Sequence, residues 1–248
     1  MARASLQQLI SDSDRRGITS ASHAEGRSGS VGPPPVRGVA ISGKIATGKS
    51  WLAGEILRHN KPRLPHKPKR RMALADELKL AVYDALSCIN PNLFPHGPVT
   101  ERLAWVNEHK PSLRGTLQEV GLLMREEMGE SYWVDRMFQR VYTGSTGKGV
   151  QPGGFIGVVD DMRFKSEFKA LKRLNFLTVR LEVFPFSRAV YIKRRTMLYP
   201  QLTAVQLGHS SECDLDDYSA FDIVLDCTKP KEEVWRDYYA RAKMFTWA

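Results

Sequence analysis

From position 36 onward, short apolar runs alternate with longer stretches in which apolar positions recur at helical spacing. That alternation is the pattern of βαβ units around a parallel sheet. Strands are predicted at 36–42, 71–75, 155–160, 177–183 and 223–226, with a long helical region between the second and third, over 77–88, 100–108 and 112–142. The glycine-rich segment 143–154, TGSTGKGVQPGG, ends those helices and returns the chain to the sheet. Ahead of the pattern, 20–35 is Ser-, Gly- and Pro-rich and reads as a linker, because it has too little apolar surface to offset its ordering entropy. Leu6, Leu9 and Ile10 sit at helical spacing and predict one short amphipathic helix before it. No repeat of solenoid or propeller period is visible.

The first strand runs directly into Gly43, Lys44, Ile45, Ala46, Thr47, Gly48, Lys49 and Ser50, a complete GxxxxGKS, and Trp51 opens a helix-compatible run. Glycines let main-chain N–H groups converge on phosphate oxygens, and the helix N-terminus adds partial positive charge. In this arrangement Lys49 reaches the β- and γ-phosphates of ATP and Ser50 binds Mg2+, with Trp51 on the ATP side. The bland alternative is a glycine turn without a nucleotide. A guanine-recognising N-K-x-D tetrad is absent from the chain, and a helicase needs more residues than 248.

Further candidates follow the strands. Asp76 and Lys79, after the second strand, fall at the sheet edge where such folds bind ligands; the competing reading is a helix start with a solvated lysine. Arg114, Gln118, Gly121 and Arg125 share one helical face, which suits a monophosphate held by guanidinium groups or else a solvated stripe. The third strand ends in Asp160 and Asp161, a Walker B-like place for carboxylates that hold Mg2+ directly or through water, and Arg163 follows as a phosphate clamp. Arg188, Lys193, Arg194 and Arg195 lie on a predicted basic helix that either closes as a lid over phosphates or stays a solvated face. Glu212, in an acidic stretch after His209, orients a lid arginine, and His209 is given no proton-transfer role. Thr228, Lys229 and Pro230, past the last strand, offer a resting place for adenine. Trp133, Tyr132 and Phe164 are candidates to stack on a base, although such aromatics more often belong to a core.

Composition narrows the partners. With 37 Lys+Arg against 27 Asp+Glu the formal charge is +10, which favours polyanions such as nucleotides or nucleic acid. Seven of the basic residues crowd into 58–71 without an acid, either a nucleic-acid contact or a solvated loop. Cys88, Cys213 and Cys227 form no metal or disulfide pattern. No apolar run approaches a membrane span and the N-terminus lacks a secretory apolar stretch, so a cytoplasmic protein without membrane contact is expected.

Taken in order, the P-loop, the A-D-x-L-K of Ala75 to Lys79, the L-Q-x-x-G-x-x-x-R of Leu117 to Arg125, Trp133-Val134, the D-x-R-F-x-x-E of Asp161 to Glu167 and the H-x-S-E of His209 to Glu212 resemble the bacteriophage deoxynucleoside monophosphate kinases, which are adenylate-kinase-like P-loop enzymes. The resemblance spans 36–248 and implies an α/β, three-layer P-loop nucleoside-monophosphate-kinase-like fold: a central parallel sheet, a helical acceptor-binding region over 76–142 and a basic lid over 186–200. Residues 1–35 have no counterpart in it and are expected to be a flexible extension. It implies Mg2+-dependent transfer from ATP to a deoxynucleoside monophosphate, in a homo-oligomer. Lys49 and Ser50 match its ATP/Mg2+ positions; Asp76, Lys79, Arg114, Gln118 and Arg125 its acceptor side; and Arg163 its phosphate clamp. The D-x-R-F match favours Asp161 over Asp160 as the Walker B residue. Two other readings stay open: a kinase of another phosphorylated small molecule, and a DNA-binding P-loop ATPase drawn from the basic segment, for which the chain lacks a recognisable DNA-reading motif.

Overall fold

Five strands pair in parallel in the order β2-β3-β1-β4-β5: β1 (Gly38–Gly43), β2 (Lys69–Met72), β3 (Ile156–Met162), β4 (Phe176–Glu182) and β5 (Ile223–Asp226). This is a computed structural model, and it describes residues 37–59, 69–94, 97–143, 155–201 and 208–245. The described helices are α1 (Lys49–Arg58), α2 (Leu74–Ile89), α3 (Val99–Glu108), α4 (Lys110–Met128), α5 (Tyr132–Thr143), α6 (Lys165–Arg173), α7 (Arg188–Leu198), α8 (Ser210–Cys213) and α9 (Lys231–Ala242). None of them is long and apolar enough to cross a membrane. The short helix at Leu6 to Ile10, the 20–35 linker, most of the basic 58–71 segment and nearly all of 143–154 lie outside the described residues.

Strand alternation divides the sheet's core in two. Val39, Ile41, Val158, Leu177, Val179 and Leu181 pack with Leu52 and Ile56 of α1 and with Val234 and Tyr238 of α9. Ala40, Val159, Met162 and Phe176 pack with Met137 and Phe138 of α5 and with Phe168 and Leu171 of α6. Helices therefore cover a parallel sheet on both faces, which is the layered α/β architecture and the reason its strands read as nearly continuous apolar runs.

The chain forms two compact units. One contains Ala75–Trp133 and is all helical; the other joins Pro33–Leu74 to Val134–Ala248 and holds the sheet. The helical unit has its own core, built on Val82, Tyr83, Val106, Leu117, Met124 and Trp133. The boundary at Trp133 and Val134 falls inside α5, which runs on to Thr143.

Several bounds differ from expectation for identifiable reasons. The second strand stops at Met72 instead of 75, because Asp161 accepts the Leu74 N–H at 3.1 Å and starts α2 there. Asp76 thus stands in the first turn of a helix. The long helix expected over 112–142 is two helices, since Gly129 donates to the Arg125 carbonyl at 3.1 Å and its own carbonyl accepts from Tyr132 at 3.1 Å, turning the chain between α4 and α5. The helices α6 and α9 were not among the expected elements, although Val234, Tyr238 and Ala242 recur every four residues.

Candidate functional site

The loop after β1 is shaped by two left-handed residues. Gly48 adopts φ 92° and ψ 19°, and Ala46 adopts φ 67°. Glycine takes that region without steric cost, whereas alanine there is held against a penalty of roughly 1–2 kcal/mol, the kind of strain that clusters at ligand sites. The buried Thr47 hydroxyl donates to the Lys44 carbonyl at 2.8 Å and closes the turn, and Leu52 N–H reaches the Gly48 carbonyl at 3.0 Å as α1 begins. The Lys49 ammonium folds back onto the Gly43 and Lys44 carbonyls at 2.6 and 2.7 Å. Burial lowers its pKa to about 8, the Arg163 guanidinium and more weakly Arg180 push the same way, and Glu212 and Asp160 oppose them. Ser50 is exposed in the first turn of α1, and Trp51 lies beneath the Lys231 ammonium, 5.6 Å from its ring.

The two aspartates at the end of β3 have separate duties. Between the pairs Ala40↔Val159 and Ser42↔Met162, β1 advances two residues while β3 advances three, a bulge of the kind that re-aims side chains beside active sites. Asp160 is 3% exposed and accepts two hydrogen bonds from Arg71, Nε to Oδ1 at 3.1 Å and Nη2 to Oδ2 at 2.7 Å. Its charge also acts on Lys49, raising the pKa of that ammonium against the effect of burial. Asp161 holds the start of α2 through Leu74.

Around the loop lies a set of ion pairs that the sequence did not reveal. Arg163 pairs with Glu212, whose other carboxylate oxygen accepts the Ile45 N–H at 3.3 Å. Asp216, four residues on, accepts from the Lys44 ammonium at 2.6 Å and from Arg180 at 3.2 Å. Arg180, 6% exposed on β4, also donates to the Ser42 hydroxyl at 2.9 Å, its register partner on β1. The Tyr191 hydroxyl of α7 donates to the Ile45 carbonyl at 2.9 Å. Missed by sequence reasoning were Ser42, Arg71, Arg180, Tyr191 and Asp216. An arginine inside the apolar strand FLTVRLE was the available signal for Arg180.

The expected lid residues divide. Arg194 donates to the Cys227 carbonyl at 3.0 Å, Arg195 lies 5.6 Å from the Tyr191 ring, and Arg188 is exposed. Past β5, the Asp226 carboxylate accepts from Thr228 N–H at 2.9 Å and from its hydroxyl at 2.6 Å, Lys229 pairs with Asp237 at 2.8 Å, and Pro230 precedes α9. An open cleft of about 220 Å3 is lined there by Phe184, Phe186, Asp226, Lys229, Asp237 and Arg241.

The acceptor-side candidates belong to the helical unit. Lys79 pairs with Asp76 at 2.9 Å, one turn apart on α2, so the pair is formed as the spacing allowed. Arg114, Gln118 and Arg125 are half-buried on α4, and Arg125 donates to the Gly121 carbonyl at 3.4 Å. Gly121 itself is buried: a Cβ there would stand 3.2 Å from Leu78 Cδ2, so its lack of a side chain admits α2. Trp133 is 2% exposed, its indole N–H donating to the Gly121 carbonyl at 3.1 Å, and Tyr132 packs edge-on to it at 4.7 Å. Both rings are core residues in this arrangement, the alternative left open above. Phe164 stands at the N-terminus of α6, where the Glu167 carboxylate accepts the Arg163 and Phe164 N–H groups at 2.8 and 3.2 Å. His209 likewise caps α8, its Nδ1 accepting from Ser211 N–H at 3.2 Å. No protein-family model matches the chain, and no curated protein matches it either.

Proposed function

We propose that the chain is a P-loop phosphotransferase that moves the γ-phosphoryl group of ATP onto the 5′-phosphate of a deoxynucleoside monophosphate. The observation that carries this reading is the electropositive loop. A lysine whose pKa is brought down to about 8 by burial and by Arg163 is a cation poised for a polyanion, whose opposite charge offsets both effects. These groups fit a nucleoside triphosphate.

Mg2+ fits more narrowly. Ser50 and the two aspartates at the end of β3, Asp160 and Asp161, are the residues that would hold it; Asp160 accepts from Arg71 with both oxygens, and Asp161 accepts the Leu74 N–H with one. Among the described residues no group of three or more His, Cys, Asp or Glu is placed to hold a metal unaided, so phosphate oxygens and water would complete the shell. The ion, when bound, neutralises charge on the phosphates.

The chain's own residues do the rest. Lys49 and the loop amides hold the triphosphate, and Arg163 offsets charge on the phosphoryl group in transit. Arg114, Gln118 and Arg125, with the Asp76–Lys79 pair, bind and orient the acceptor, and α7 excludes water. A monophosphate is largely ionised near neutral pH, so the transfer needs positioning and charge neutralisation more than a general base. The test is a coupled ADP-release assay with MgATP and each of dAMP, dGMP, dCMP, dTMP and their ribose analogues, repeated with DNA in place of acceptor. Turnover that depends on a deoxynucleotide supports the reading. Turnover that requires DNA, or none with any acceptor, overturns it.

A further inference from the structure

The acidic segment after α8 binds the sheet unit through alternate carboxylates. Asp214 accepts the Lys165 N–H at the start of α6 at 2.6 Å, and Asp216 joins the Lys44 ammonium to the buried Arg180. Leu215 between them is 2% exposed. These anchors fix the segment independently of any ligand. They set Glu212, whose side chain is 7% exposed, against the phosphate loop, with one oxygen on the Ile45 amide and the other on Arg163.

A main-chain N–H and a guanidinium converging on one carboxylate are the donors that a phosphate group uses. The single Ile45 N–H cannot serve a carboxylate and a phosphate oxygen at once, and two anions in contact around one guanidinium in a partly buried site repel strongly. We propose that Glu212 is the resident anion of the phosphate loop: its carboxylate holds the Ile45 amide and the Arg163 guanidinium, and a polyphosphate binds by displacing it from the Ile45 amide and from Arg163. Glu212 is then a positioning residue. It keeps Arg163 beside the loop before the ligand arrives and sets the threshold that a phosphate chain must exceed. The proposal rests on the reading of the loop as a phosphate site and adds what occupies it otherwise.

The test is isothermal titration of the full chain with inorganic tripolyphosphate, comparing wild type with Glu212→Gln. The amide keeps the shape and removes the charge, so tripolyphosphate should bind the variant about tenfold more tightly or better. Equal or weaker binding overturns the proposal, because a residue that merely orients Arg163 would lower affinity when altered. If wild type binds neither tripolyphosphate nor ATP, the phosphate-site reading itself fails and the proposal falls with it. A second measurement needs no variant: in wild-type protein carrying 13C-labelled glutamate, the Glu212 carboxyl resonance should shift on saturation with tripolyphosphate. A resonance that stays in place while tripolyphosphate binds overturns the displacement.

Discussion

Lys49 concentrates the chemistry of the site into one titration. In the folded chain its pKa lies at about 8, against an ordinary 10.5, because burial and the neighbouring Arg163 disfavour the charged form. Between those two values the unfolded chain binds more protons than the folded one, so the contribution of this group to stability rises as pH climbs through 8 towards 10.5. The difference in unfolding free energy between wild type and Lys49→Met should therefore move in favour of wild type from pH 7 to pH 10, as read by urea denaturation at each pH. A difference that does not change with pH would mean that Lys49 titrates normally. The same shift acts on ligand affinity with the opposite sign. Tripolyphosphate binding to wild type should weaken above pH 8, by up to about tenfold per pH unit, as the ammonium is lost. The residue type at position 49 was legible from its motif, whereas its titration was not, because Arg163 and Arg180 reach it only through the fold.

At the scale of elements, the end of β3 caps the first residue of α2. Asp161 starts α2 by accepting the Leu74 N–H, while Asp160, one residue earlier, is held by Arg71 of β2. Loss of a helix-capping carboxylate typically costs about 1 kcal/mol. Asp161→Ala should lower stability by about 1–2 kcal/mol in a denaturant titration, and Asp161→Asn, which keeps an acceptor oxygen, should lower it less. If Asp161→Ala is as stable as wild type, the cap does not hold α2. This division of labour was hidden in the sequence, where the D-x-R-F match favours Asp161 as the Walker B residue but nothing marks Asp160 as the partner of Arg71 or Asp161 as the acceptor for Leu74. Their difference comes from the extra residue that β3 inserts between Val159 and Met162. The basic helix over 188–198 was legible from its run of Arg and Lys, yet its link to the loop runs through Tyr191, which charge patterning does not single out.

For the whole molecule, the residues proposed for the two substrates fall in different units of the chain. The P-loop and Arg163 belong to the sheet unit, and Arg114, Gln118 and Arg125 to the helical unit. Arg125→Ala should raise the KM for the deoxynucleotide about tenfold or more while the KM for ATP stays within about twofold. Equal effects on both substrates would remove Arg125 from the acceptor side. The parallel α/β class, the five strands, the helical region after β2 and the glycine turn between β1 and α1 were all determined by the sequence itself, because each rests on local pattern: apolar runs, helical periodicity, and glycines at fixed spacing around Lys49. The tertiary structure alone decided which charges meet. Glu212 and Asp216 reach the loop from 167 and 172 residues away along the chain, Arg180 pairs with Ser42 across neighbouring strands, and Trp133 and Gly121 turn inward to the core of the helical unit. Ion pairs between distant residues leave no periodic trace in a sequence, since their partners are selected by strand order and by the small space left between packed elements.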